Sequence, residues 1–286
     1  MIVDAHQHFW DPARGDYGWL KPDNPIHRIF ATSDLRPLLV QTGVDATILV
    51  QAAPTLAETD YMLEIARGTP WVLGVVGWVD LEAQGAVDAI RYSARDPLFL
   101  GVRPMLQDLA DPNWILQSGL APALNTIAAE GLVFDALILP HQIPAITELA
   151  ERHPQLSIVL DHAAKPRLGD ADAMAGWVRA MEALAARSNV SCKISGLLTE
   201  VQPGGGRDDV VRAIGTLFDL FGPQRLIWGS DWPVLTLSNC FAGAGDYQNW
   251  FELAREAIAA KDSSAVRAAM GGNAFRIYRP TRPNRA

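Results

Sequence analysis

Ala46-Thr47-Ile48-Leu49-Val50 is a run of five residues with no charge and little polarity. Such a run, with no alternation of polar and apolar positions, suits a strand covered on both faces, as in a parallel sheet flanked by helices. The run extends over 45–50, and seven comparable ones occur at 2–5, 71–79, 98–103, 132–138, 156–161, 189–195 and 225–229. Helical patterns are expected between most of them, at 57–67, 83–95, 115–130, 142–152, 172–187, 207–221 and 247–260. Turn residues fall where helices should start or stop: Gly68-Thr69-Pro70, Gly131, His153-Pro154 and Gly222-Pro223. Eight strand–helix units in 286 residues predict an α/β protein, a (β/α)8 TIM barrel, as a single domain over 1–286. A doubly wound open sheet is the alternative, but no Gly-rich dinucleotide fingerprint follows any strand. The run Pro203-Gly204-Gly205-Gly206 reads as a loop after the seventh strand, a connector more than a lid.

Composition narrows the class. The chain is 49% hydrophobic and 20% charged, ordinary for a globular enzyme. A formal charge of -8 argues against nucleic acid, which calls for clustered Lys and Arg. The one basic cluster, Arg276, Arg279, Arg282 and Arg285, reads as solvated. No apolar stretch approaches the ~20 residues that span a bilayer. A strand is expected directly at the N-terminus, so no signal peptide is expected. Two cysteines, Cys192 and Cys240, make no disulfide framework, and Cys192 is expected buried on a strand. Together these features predict a cytoplasmic protein with no membrane partner.

In a barrel of this kind chemistry sits at the C-terminal ends of the strands. The first strand runs into Ile2-Val3-Asp4-Ala5-His6-Gln7-His8-Phe9-Trp10. Side chains alternate along a strand, so His6 and His8 point the same way and could bind a divalent metal or hold a water. The other ends supply Gln51, then Trp78 and Asp80, Arg103, Asp135, Asp161 with His162 and Lys165, Lys193 with Ser195, and finally Asp231. Charges are costly to bury unless paired or used. Arg103 could simply pair with a carboxylate such as Asp135. Lys193 could be a buried ion-pair partner. Asp161 reads best as a cap for the turn after it. Asp231, between Gly229-Ser230 and Trp232-Pro233, reads as functional.

Four motifs at strand ends, in order, resemble the amidohydrolase superfamily, and within it the group of sugar-lactone hydrolases. They are Asp4-Ala5-His6-Gln7-His8-Phe9-Trp10-Asp11-Pro12, Gly101-Val102-Arg103, Asp161-His162-Ala163-Ala164-Lys165-Pro166 and Gly229-Ser230-Asp231-Trp232-Pro233. The resemblance covers nearly the whole chain. It implies a metal held by His6, His8 and Asp231, with His162 close by. Two departures weigh against a binuclear site: Arg103 stands where binuclear members place a bridging lysine or carboxylate, and Asp135 where many mononuclear members place a histidine. His141, beyond the fifth strand, falls at a helix start and is not expected to ligate. One zinc-like ion with an open position, or a metal-free site with three polar groups around a water, both remain open.

The expected chemistry is hydrolysis of a cyclic ester of a sugar acid. Asp231 would take a proton from a water near His6 and His8. Arg103, His162 or Lys165 would steady the charge on the carbonyl oxygen, and Asp231 or His162 would protonate the leaving ring oxygen. Lys165, Gln51, Trp10 and Trp232 are candidate substrate contacts, since sugar C–H faces often lie on aromatic rings. The loop from Trp10 to Ile29 is expected to cover the pocket. Two rivals stay open: a metal-dependent decarboxylase or hydratase of a small unsaturated or aromatic acid, and a barrel that binds a sugar acid without catalysis. The sugar, the ring size and the choice between monomer and oligomer are left open.

Overall fold

The computed structural model describes residues 1–238, 240 and 246–279, so Arg282 and Arg285 of the basic cluster lie outside the described residues. All eight expected strands are present: β1 (Val3–Gln7), β2 (Ala46–Val50), β3 (Val72–Gly77), β4 (Phe99–Val102), β5 (Val133–Ala136), β6 (Ser157–Leu160), β7 (Val190–Ile194) and β8 (Leu226–Trp228). They pair in parallel in sequence order. Just past its last regular pair the sheet meets its own first strand: His8 N donates to Trp232 O (2.8 Å) and Asp231 N to His6 O (2.7 Å). The seam is tight because Gly229 has no side chain. A Cβ there would sit 2.6 Å from the Cβ of His6.

The helices are α1 (Thr32–Thr42), α2 (Leu56–Gly68), α3 (Ala86–Ala94), α4 (Ala121–Ala129), α5 (Ile143–Arg152), α6 (Ala171–Ala185), α7 (Arg207–Phe221), α8 (Asp246–Lys261) and α9 (Asn273–Tyr278). The sequence reading missed α1, which carries Pro37 in its interior, where proline normally breaks a helix. Asp34 compensates at its start by accepting from Ala31 N (2.8 Å). The helix expected from 115 begins only at Ala121. Two 3-10 turns, Trp114–Leu116 and Ser118–Leu120, precede it, and Pro122 favours the first helical turn.

Two features of the fold position the site. The first is a bulge in β1. Asp4 opposes Thr47 but Gln7 opposes Leu49, so three steps on β1 match two on β2. The extra residue lets Asp4 turn outward, where it accepts from Tyr247 Oη (2.9 Å) and Ser230 N (2.8 Å), while His6 turns inward. The second is the floor. The segment 271–278 packs under the strand starts: Asn273 Nδ2 donates to the carbonyls of Pro223 and Leu226, both at 2.8 Å. Ala274 and Tyr278 enter the interior cluster with Val3, Ala5, Val133 and Ile227.

Candidate active site

The rim of the barrel gathers three imidazoles around one carboxylate. The Oδ1 atom of Asp231 lies 3.3 Å from His8 Nε2, 3.7 Å from His6 Nε2 and 3.9 Å from His162 Nε2. All four side chains are buried. Asp231 reaches this point from a left-handed backbone (φ 60), beside the cis Trp232–Pro233 bond.

His162 reaches it from a rarer conformation. His162, Ala163, Ala164 and Lys165 all have φ between 50 and 57, four left-handed residues in succession with no glycine. Each costs about 1–2 kcal/mol relative to a right-handed turn, so the surroundings must impose the shape. Trp177 Nε1 donates to Ala163 O (2.8 Å), and Lys165 N closes the turn on His162 O (2.8 Å). Ser195 Oγ meets His162 Nδ1 at 3.0 Å. Gly196, itself left-handed, leaves room for the ring: a Cβ there would sit 2.5 Å from His162 Nδ1.

Beneath the rim lies a layer of paired charges. Lys193 Nζ bonds to Asp135 Oδ2 and stands 3.0 Å from Asp161 Oδ1 and 3.2 Å from His6 Nδ1. Arg103 pairs with Asp161 Oδ2 (3.1 Å) and also with the backbone carbonyl and the side-chain oxygen of Gln51. His6 bridges the two layers, with Nδ1 at 3.3 Å from Asp161 Oδ1.

Two readings of these residues need correction. Asp161 is the hub of the buried charges rather than a turn cap, because the barrel brings Arg103, Lys193 and His6 to it from three other strands. The partner of Arg103 is Asp161, and Asp135 goes instead to Lys193, which is a buried ion-pair partner.

Burial dominates the electrostatics. It pushes His6 well below its usual range and lowers His162 to about 4, so both rings are neutral at neutral pH. Burial would raise Asp231, but the neighbouring His162, His8 and His6 outweigh it and hold the carboxyl below its ordinary range. His8 Nδ1 lies 2.8 Å from Val50 O, a carbonyl that can only accept, so Nδ1 carries the proton. Its Nε2 is the nitrogen that faces the Asp231 oxygen, at 3.3 Å. Within the site, three buried carboxylates (Asp135, Asp161, Asp231) also outnumber two buried cations (Arg103, Lys193). His6, His8 and Asp231 each offer one ligand atom within 4.8 Å of the others, and this donor set fits a divalent cation. Asp161 and His162 form a second such group with His6, but Asp161 is already spent on Lys193 and Arg103.

The candidate substrate contacts separate into two kinds. The Lys165 side chain is half-buried, and its ammonium makes no hydrogen bond or ion pair among the described residues, leaving it free at the rim. Trp232 is almost fully buried, edge-on to Phe9 and Phe30. Trp10 is fully buried, and its indole N–H is spent on the carbonyls of Ile26 (3.3 Å) and Arg28 (3.0 Å), so what it visibly does is pack the loop. Gln51 spends its side chain on Arg103, to which its Nε2 also donates at the carbonyl (3.0 Å). The loop from Trp10 to Ile29 docks on the end of β2, with Trp19 Nε1 donating to Ala52 O (2.7 Å). The stretch before Pro203 is tied down: Leu168 and Val201 pair, Leu168 N donates to Glu200 O (3.1 Å) and Gln202 N to Leu168 O (2.8 Å). His141 is exposed on a turn before α5.

Two residues escaped the sequence reading. Glu58, in the first turn of α2, accepts from Ala52 N (3.0 Å) and Ala53 N (2.7 Å), fixing the chain next to Gln51; burial raises its carboxyl to about 7. Tyr278, in the last helix, donates to Asp135 (2.8 Å to Oδ1). Neither lies at a strand end or in one of the four motifs, where the sequence signals are concentrated.

A family model for amidohydrolases matches residues 3–279. An L-fucono-1,5-lactonase of Burkholderia ambifaria is 45% identical over 283 residues, covering 99% of this chain and 97% of that protein. An L-fucono-1,5-lactonase of Burkholderia multivorans is 34% identical over 290 residues, covering 97% and 96%. Among solved structures, an amidohydrolase from Burkholderia multivorans with bound zinc superposes with a TM-score of 0.90 at 34% identity, covering 98% of this chain and 99% of that one.

Proposed function

The chain belongs to the amidohydrolase family, and from that premise we propose that it hydrolyses a sugar-acid lactone of the L-fucono-1,5-lactone class. The convergence of three imidazole nitrogens on one Asp231 oxygen, at 3.3, 3.7 and 3.9 Å, carries the reading. His6, His8 and Asp231 would hold a divalent cation such as zinc. Bound there, the ion supplies Lewis-acid stabilisation of negative charge.

The chain's own groups divide the remaining work. Asp231, held ionised, accepts a proton from the attacking water. The hydroxyl joins the acyl carbon, and the same proton passes to the ring oxygen as its bond to that carbon breaks. The products are a carboxylic acid and an alcohol. With the Ser195 hydroxyl donating to Nδ1, His162 keeps a neutral Nε2–H directed into the site, suited to the carbonyl oxygen as charge builds. Lys165, free at the rim, is the cation available to the hydroxyls of the sugar. Arg103 takes a different role from the one expected: its bonds to Asp161 and Gln51 make it a support for His6. That commitment also disfavours a decarboxylase, which would want Arg103 free for a substrate carboxylate. We further read residues 1–286 as one domain and place it in the cytoplasm, where free Cys192 and Cys240 would stay reduced. Among the described residues no helix is long and apolar enough to cross a membrane.

A panel of neutral aldonolactones with a pH indicator tests the substrate class. Release of acid from L-fucono-1,5-lactone or a close stereoisomer is the expected result. Inertness toward every sugar lactone, with turnover of an aromatic acid, would replace this reading with the decarboxylase.

A further inference from the structure

The loops after β6 and β7 are stitched together at the rim. Leu168 and Val201 pair, Leu168 N donates to Glu200 O (3.1 Å), and Gln202 N donates to Leu168 O (2.8 Å). Nearer the strands, Ser195 Oγ meets His162 Nδ1 at 3.0 Å, and Gly196 packs against the same ring. Glu200 closes the 3-10 turn Leu197–Glu200 that follows β7. Its carbonyl also accepts from Gln202 Nε2 (3.0 Å), so its backbone is fixed. The stitching therefore holds Glu200 beside the segment that carries His162 and Lys165.

The side chain is left without a partner. Glu200 is half-buried, and its carboxylate makes no hydrogen bond or ion pair among the described residues. The charges that reach it belong to the site. Burial raises its carboxyl above the ordinary range, the Lys165 ammonium pulls it down, and the Asp231 carboxylate pushes it up. A carboxylate and an ammonium thus share one rim, and neither is spent on the other. A carboxylate can only accept hydrogen bonds and an ammonium can only donate them. A hydroxyl does both, so the two groups together suit neighbouring hydroxyls on one ring. Bonds to charged groups are also roughly twice as strong as neutral ones.

We propose that Glu200 is a substrate-binding residue which, with Lys165, grips neighbouring ring hydroxyls of the sugar lactone and so sets a preference for a polyhydroxylated ring. It fixes where the ring lies, while His6, His8, His162 and Asp231 face the ester. The assignment rests on the lactonase reading and adds the acceptor that Lys165 alone does not provide.

The test compares the full-length, zinc-loaded parent with Glu200→Ala and Glu200→Gln. The substrates are L-fucono-1,5-lactone, its monodeoxy forms, and δ-valerolactone, which carries no hydroxyl. For L-fucono-1,5-lactone, kcat/KM of Glu200→Ala should fall roughly 10- to 100-fold, the scale of one lost hydrogen bond to a charged group. Glu200→Gln keeps an accepting oxygen and should fall between parent and Glu200→Ala. For δ-valerolactone, and for the monodeoxy lactone that lacks the gripped hydroxyl, Glu200→Ala and parent should agree within about twofold. An equal loss on every lactone would make Glu200 a mere support for its loop, and parental kcat/KM on L-fucono-1,5-lactone would leave it without a role. Either result overturns the proposal while the parent remains a lactonase. A parent that opens no sugar lactone would strike the lactonase reading, and this proposal with it, so the parent alone tells the two failures apart.

Discussion

The rim and the layer beneath it use the same residue types to opposite ends. Below, Arg103, Asp161, Lys193 and Asp135 are paired sign against sign, and Tyr278 completes the set. Above, Asp231 faces only imidazoles, two of them driven neutral by burial, from a left-handed backbone opposite four more left-handed residues. A buried charge with its partner in place supports the fold. One without it, held where the backbone is strained, is poised to meet something the chain does not contain.

Substitutions in the two layers should therefore separate activity from stability. The largest effect is expected for His8→Ala, which removes a nitrogen that faces Asp231. Turnover should fall by roughly two to four orders of magnitude, the range typical of losing a catalytic group, while thermal unfolding stays near the parental midpoint. Comparable losses in both would erase the distinction between the layers. Next comes Lys193→Met, which leaves Asp135 and Asp161 buried with less compensation. Removing one partner of a buried pair costs about 3–5 kcal/mol, readable in chemical denaturation. A variant as stable as the parent would show that the lower layer is not an ion-pair network.

The smallest effect concerns Glu58, a carboxylate near the rim that is satisfied like those below. Its carboxyl is raised by burial from 4.5 to about 7, so the folded state binds more protons than the unfolded state within that window. The stability it contributes is present below 4.5 and is lost as pH rises toward 7. Glu58→Gln should remove that slope. Melting temperatures of the two proteins, compared across the window, should diverge in the variant's favour with rising pH, apart from a constant offset. Parallel curves would mean that Glu58 keeps an ordinary carboxylate range.

What could be read in the sequence follows the same division. Continuous apolar runs locate all eight strands, because a strand covered on both faces announces itself locally. His6, His8, His162 and Asp231 stand beside recognisable motifs at strand ends. The lower layer is different, since its logic is in partners far apart in the chain. Asp161 looks like a turn cap until the barrel brings Arg103, 58 residues away, within 3.1 Å. Tyr278 lies in a tail whose arginines are its visible feature, and nothing local marks it as reaching Asp135 across 143 residues. The left-handed run at 162–165 is equally silent, because no glycine signals it. Pro37 concealed α1 for the reverse reason, a strong local signal overridden by packing.

Asp231→Asn, assayed beside the parent for acid release from L-fucono-1,5-lactone, is the most direct measurement. The substitution preserves shape and removes the charge on which three imidazoles converge. The account predicts a folded protein with turnover reduced by orders of magnitude. Parental turnover by the variant would contradict it.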